Sequence, residues 1–421
     1  MTRHETVLGI VVLTIAAVGA GCGGTCRRIE KDRRAFLERT AAAAEPHVEI
    51  SVPFTVAEGL INGRIGEIDP LPLKLSIPAV LADYFGRLEV RPRGVRLLPA
   101  AAGRLAFRLL FDVADRDRDR KLFEISVDVE VEPLVDLEAG RVEIEITAES
   151  LGKIKPTISK DAKRELGGMV WDRIPKAARL LLPRKFVDET AGSVVKSLVS
   201  GFYERSKDKL LKRLGDLSRI SLQLPDVPLR SLTIESDPHG TLRLLVVTGL
   251  PVRTGLKKGA PAPADRIAVR LSGPAMAELT NWAMASGLLP DRYDDKGKAK
   301  ADGELRPGLD WVSGKRPMKV FLWDLDDTCM RLTLEATPEL GVKDGKVAIG
   351  ARDAEVTDIE ASAFVKAGVW FHLLWKDAFD VSKKTKASAK IEVAGQELEV
   401  GVATAELVDD EIILGLDVVT K

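Results

Sequence analysis

The residues with the clearest chemical potential are two carboxylates. Asp324 and Asp326 stand two positions apart at the end of an apolar run, Val320-Phe321-Leu322-Trp323, and Thr328 follows them. Aspartate is one of the residue types that forms covalent intermediates in phosphoryl transfer. A second acidic cluster, Asp115, Asp117 and Asp119, has the alternating spacing of a calcium loop. It lacks the rest of that loop: the sixth position is Arg120 where glycine is needed, and the twelfth is Ser126 where glutamate is needed. Arg116, Arg118 and Arg120 interleave the carboxylates and would repel a cation, so the segment reads as a solvated hairpin tip. His47, His239 and His372 are scattered, none in an H-E-x-x-H pattern or beside a cysteine. No metal site and no cofactor are expected.

The elements around Asp324 decide what it can do. Val320 to Thr328 resembles the first motif of the haloacid-dehalogenase phosphatases, four apolar strand residues followed by Asp-x-Asp-x-Thr. The resemblance implies Asp324 as nucleophile and Asp326 as acid and base, with Mg²⁺ between them. That fold needs a parallel, doubly wound sheet covered by helices. The chain after Asp324 reads instead as successive strands, with only Lys383, Lys384, Asp409 and Asp410 as further candidates. The expectation is therefore a hairpin turn with Asp326-Asp327-Thr328 at its tip. A phosphatase is kept as the alternative, and the leading expectation is that the chain is not an enzyme.

The cysteines point elsewhere. Val7 to Val18 is an unbroken run of apolar and small residues after Arg3. It is too short to span a hydrocarbon core of about 30 Å and has the size of a signal-peptide core. Gly19-Ala20-Gly21-Cys22 follows. This resembles the lipobox of bacterial lipoproteins, with Gly19 where leucine is usual. The resemblance implies residues 1–21 as a signal peptide and Cys22 as the site of lipid attachment. Gly23 is not the aspartate that retains lipoproteins in the inner membrane of enteric bacteria, so the outer membrane is favoured, with the protein facing the periplasm. Cys26 and Cys329 could pair in an oxidising compartment, but Cys26 falls in the segment read as a tether and Cys329 lies far along the chain. Free thiols are the simpler expectation.

Length and composition fit this picture. A chain of 421 residues suits two or three domains. With 45% hydrophobic and 30% charged residues, it is globular. Lys+Arg and Asp+Glu both number 63, so nothing in the overall charge calls for nucleic acid.

Residues 22–45 read as a tether or helix leaving the membrane. His47 to Val52 then alternates as a strand does, and Thr55-Val56-Ala57-Glu58 is a capping box for a helix ending near Ile65. A meander of strands follows, separated by turn residues. Helical periodicity runs over Asp161–Leu182 and Lys185–Leu214, where Val187, Ala191, Val194, Val195, Leu198, Val199 and Phe202 form one apolar stripe. Residues 255–265 are a linker by composition. After it the opening theme recurs: strand Ile267–Leu271, a cap at Ser272 or Gly273, Pro274 in the first turn, and a helix stopped by Gly287. Asp291 to Gly303 is expected to be a charged, mobile loop.

This repeated order of strand, helix and meander resembles the TULIP superfamily of tubular lipid-binding domains. The segment Val269 to Leu289 resembles the start of the C-terminal barrel of the BPI-like proteins, with Lys319–Trp323 and Met330–Val347 continuing it. The resemblance implies an α+β fold of two tandem TULIP-like domains, each a curved antiparallel meander sheet wrapped around a long amphipathic helix. The N-terminal domain would span 46–254 and the C-terminal BPI-like domain 266–421. Acyl chains would bind in apolar clefts between helix and sheet, with Leu60, Ile61, Val194, Leu198, Phe202, Leu279 and Trp282 as candidate lining residues. The expected function is that of a membrane-anchored periplasmic lipoprotein that binds or transfers lipid. A structural envelope protein with filled clefts is a further alternative.

Overall fold

The computed structural model describes residues 24–40, 43–65, 69–73, 87–117, 119–158, 160–179, 182–214, 219–257, 265–294, 298–326, 328–343, 346–361, 383–386, 388–393 and 396–420. The fold is α+β, mostly antiparallel strands in several sheets with few helices. Every strand pairing among the described residues is antiparallel.

The first strand, β1 (Val48–Pro53), leads directly into the helix Phe54–Ile65. A meander of β2 (Leu71–Leu73), β3 (Leu88–Leu98), β4 (Leu105–Asp115), β5 (Arg120–Val131) and β8 (Leu151–Ile158) forms a five-stranded sheet. Leu88–Arg91 and Val95–Leu98, legible as two alternating runs, are one strand with an irregularity at Pro92–Gly94, where proline cannot donate to the ladder. Three short strands, β6 (Leu134–Asp136), β7 (Arg141–Glu145) and β9 (Arg219–Gln223), make a small separate sheet.

Between β8 and β9 the chain is helical over Lys160–Arg173, Lys176–Arg179 and Arg184–Leu214, broken around Pro183 as its missing N–H requires. The long helix buries Val187, Ala191, Val195, Val199 and Tyr203. These residues are four apart and form one ridge. Ala191, Val195, Val199 and Tyr203 share a core with Phe111, Phe123 and Val127 of the five-stranded sheet. The Tyr203 hydroxyl donates to the Gly152 carbonyl of β8 (3.1 Å). The buried ridge is narrower than the stripe expected from the sequence: Val194 is 37% exposed.

The second half repeats the plan. Strand β12 (Ile267–Ser272) leads into the helix Gly273–Ala285, whose N-cap Ser272 accepts from the Ala275 N–H and whose end is followed by Gly287 at φ 78°. A Cβ on Gly273 would stand 2.1 Å from Trp311, so glycine lets the helix start beneath that ring. A second five-stranded sheet follows, β13 (Leu305–Trp311), β14 (Met318–Asp324), β15 (Met330–Lys343), β16 (Lys346–Glu360) and β17 (Lys383–Lys386).

Both halves return to one shared seven-stranded sheet. Its order is β10 (Leu229–Ser236), β11 (Thr241–Thr248), β1, β12, β20 (Glu411–Thr420), β19 (Gln396–Val408) and β18 (Ser388–Val393). Strands β1 and β12 pair at its middle, Ile50 opposite Val269. Each is flanked by a late strand of its own half, β11 for β1 and β20 for β12.

Three segments that read as polar and locally unpatterned have partners in the fold. Residues 24–37, within the stretch read as a tether or helix, form a helix that buries Ile29 and packs Phe36 on the second half. The start of the linker is packed as well: Leu256 is buried and its N–H donates to Pro46. Within the described part of 291–303, Tyr293 bridges to Ala299 and, beyond the segment, to Leu305 through the backbone. In each case composition marked a polar stretch but carried no information about its long-range partners.

Candidate functional site

The central sheet has two unlike faces. Period-two alternation places Val48, Ile50 and Val52 of β1 on one face and Glu49 and Ser51 on the other. Register extends the first face across six strands. Ile234, Leu244, Ile50, Val269, Leu414 and Ala405 form one row. Leu232, Val246, Val48, Leu271, Ile412 and Leu407 form the next. Six strands spaced about 4.8 Å apart make this face roughly 24 Å across.

An apolar surface of this kind is normally closed. Here Val48, Ile50, Val52, Leu244, Val246, Val269, Leu271 and Leu414 are only half-buried. At the β10–β11 end Ile234 is buried, and Leu232 and Leu242 pack against the core of the first half.

The polar face is the buried one. Glu49, Ser51, Arg270, Ser272 and Glu411 are almost fully enclosed. Arg270 joins carboxylates from both halves: its Nη1 lies 2.8 Å from Glu49 Oε2 and its Nη2 2.6 Å from Glu411 Oε2. The remaining acceptors are served by neighbours. Ser51 Oγ donates to Glu49 (2.9 Å), the Lys257 N–H donates to Glu411 (2.8 Å), and Arg270 Nη2 also donates to the Lys257 carbonyl (3.2 Å). His47 is fully buried beside this face and its Nδ1 accepts from the Thr248 N–H (3.0 Å). Burial pushes the imidazole below its ordinary range, with the Ala43 carbonyl acting in the opposite direction.

The helix at residues 24–37 docks on the second half. Phe36 packs against Phe321 and Trp323, with ring centroids 5.3 and 5.1 Å away. A Cβ on Gly308 would stand 2.8 Å from the Phe36 ring, so glycine there admits the aromatic cluster. Arg39 reaches Glu278 (2.7 Å) and Asp310 (3.3 Å), both largely buried. Burial raises the Glu278 carboxyl above its ordinary value, and Arg39 opposes that. Asp32 pairs with Arg331 (2.8 Å), and Arg28 with Glu360. The expectation of free thiols is overturned: Cys26 and Cys329 form a disulfide, with Cα atoms 5.0 Å apart. Docking of the helix brings the two cysteines within bridging geometry.

The sequence-derived lining residues are dispersed. Leu60 and Ile61 are half-buried, and Ile61 packs against the core of the first half. Leu279 and Trp282 pack on a separate cluster with Leu250, Val252 and Ala275. Val194 is exposed on the long helix. The side chains of Leu198 and Phe202, and the whole of Cys22, lie outside the described residues. The half-open sheet face was not among the sequence candidates. Its signal was present in the alternation of His47 to Val52, but only the register shows that six strands continue it.

The acidic motifs sit at turns. Asp324 ends β14, and its carboxylate accepts from Thr328 Oγ1 (2.5 Å) and from the Asp326 N–H (3.2 Å). Asp326 faces Arg306 (3.2 Å) and Arg292 (3.7 Å). These are the contacts of a hairpin turn in an antiparallel sheet. At the other tip Asp117 is held by Arg87 and Asp119 by Arg91. Among the described residues no group of acidic, histidine or cysteine side chains could hold a metal ion, and no helix is long and apolar enough to cross a membrane.

No known sequence family matches the chain, and no curated protein matches it in sequence. Among solved structures it is similar to P47 from Clostridium botulinum A2, at a TM-score of 0.39 and 8% identity, covering 88% of this chain and 96% of that one. P47 of Clostridium botulinum E1 gives the same TM-score and identity, covering 88% and 98%. A likeness at this level carries no functional inference.

Proposed function

We propose that this chain is a lipid-binding or lipid-transferring protein held at the periplasmic side of a bacterial membrane by lipid on Cys22. The observation that carries the reading is the half-open apolar face of the central sheet. Its rows cross from one half of the chain to the other over a length comparable to an extended acyl chain. Burying each methylene against such a surface is worth about 0.8 kcal/mol, so an acyl chain needs no dedicated polar group to bind. The buried ion pairs on the opposite face fix the two halves to each other and so keep the apolar rows continuous.

On this reading each half is a TULIP-like unit. The repeated strand–helix opening, the five-stranded meander and the return to a shared sheet support that assignment. The packing of Leu279 and Trp282 against Leu250, Val252 and Ala275 favours filled clefts, as in a structural envelope protein, for that part of the molecule. The reading is tested by purifying residues 23–421, which keep the Cys26–Cys329 disulfide, and analysing organic extracts by mass spectrometry. Co-purifying phospholipid or fatty acid is expected. An extract free of lipid, together with no binding of a fluorescent fatty acid, would overturn it.

A further inference from the structure

We infer that the β14–β15 tip of the second half is the membrane-facing edge of the molecule, held near the headgroups by the Cys26–Cys329 disulfide. The inference rests on the proposed lipid attachment at Cys22. Cys26 is four residues beyond that position and is bonded to Cys329 in the turn between β14 and β15. Four residues span at most about 14 Å. A lipid on Cys22 would therefore hold this turn within a headgroup's depth of the bilayer, and the helix at 24–37 would act as a splint.

The helix shows how the edge is oriented. Ile29, Asp32 and Phe36 face the second half, where Phe36 meets Phe321 and Trp323 and Asp32 meets Arg331. The outer side of its first turns is exposed and carries Arg27, Arg28, Lys31 and Arg34 against a single exposed carboxylate, Glu30. Arg28 reaches Glu360, and Arg34 reaches Glu30 (3.3 Å). Basic residues clustered beside a lipid anchor are attracted to anionic leaflets. Farther along, Arg39 is locked between Glu278 and Asp310, so the splint is fixed at both ends.

The test uses the full-length protein purified from a bacterial membrane. It is reconstituted in vesicles of phosphatidylethanolamine and phosphatidylglycerol at about three to one, an anionic surface. A photo-crosslinking amino acid replaces Asp326 at this tip or Arg116 at the β4–β5 tip, and the mass of the N-terminal peptide reports acylation. With Cys22 acylated, crosslinking to phospholipid is expected to be at least about tenfold greater at 326, where the short anchor sets a high local concentration. Equal yields, or a greater yield at 116, would overturn the inference while leaving the lipoprotein reading intact. An unmodified Cys22 would overturn both. In the Cys26→Ser/Cys329→Ser variant, shown to be folded by circular dichroism, the preference for 326 should fall by about threefold as the tether lengthens. An unchanged preference would contradict the role given to the disulfide.

Discussion

The two halves share a plan but are held together differently. In the first half the five-stranded sheet is packed by the long helix Arg184–Leu214 of its own segment, in a core running from Ile65 to Ile234. In the second half Leu332, Leu334, Ile359 and Ala361 form a buried cluster among the described residues, and a helix from the start of the chain packs on that sheet beside the half's own helix Gly273–Ala285. The first half therefore resembles a closed unit. The second depends on a segment that precedes the first, tied by a disulfide, an aromatic cluster and buried ion pairs. An element borrowed over such a distance makes the N-terminal segment part of the fold.

The largest effect is expected where the halves meet. Arg270→Ala leaves Glu49 and Glu411 buried without their shared counter-charge, and breaking a buried pair in this way costs about 3–5 kcal/mol. Both halves should lose stability together in a denaturant titration followed by hydrogen exchange. Loss confined to one half would show that the ion pairs do not couple them. Next is the Cys26–Cys329 bond. Its removal in Cys329→Ser should cost about 2–4 kcal/mol, with faster amide exchange in β14 and β15 and little change in β3 to β5.

Phe36→Ala removes the ring packed against Phe321 and Trp323 and should cost about 2–3 kcal/mol, less than a fully buried ring because Phe36 is half-buried. Its effect should again fall on the second half, as read by tryptophan fluorescence at Trp323. The smallest effect is the titration of His47. Its folded-state value lies below the ordinary 6.5, so its contribution to stability is fully present above that pH and is lost as pH falls through it. The loss between pH 7 and pH 5 should shrink in His47→Asn, measured as the shift in unfolding midpoint.

Much of the fold was legible because it is written in local patterns. The Ser272 cap, Pro274 and Gly287 bounded the second opening helix to within a residue. The alternation of β4 and β5 and the break at Pro183 were equally plain. What could not be read was pairing between distant segments. Nothing near Cys26 encodes Cys329, and nothing near Arg39 encodes Glu278, because these contacts depend on where two separate elements dock. The candidate site suffered from the same limit. Val194 was assigned to the buried stripe from helical spacing alone, yet the ridge at Val187, Ala191, Val195 and Val199 takes the core contact and leaves its neighbour exposed. The central sheet was visible strand by strand, but the continuity of its apolar rows arises only from register.

The most direct test of the account is binding of a fluorescent fatty acid to the folded chain and to Leu244→Glu. Leu244 lies between Ile234 and Ile50 in the apolar rows, and a carboxylate there would have to be desolvated for an acyl chain to lie across it. Saturable binding is expected for the unaltered protein, with a loss of about tenfold or more in affinity for Leu244→Glu, equivalent to about 1.4 kcal/mol, and no change for Val408→Glu at an exposed position. Equal affinity in all three proteins would contradict the claim that the central sheet carries the lipid.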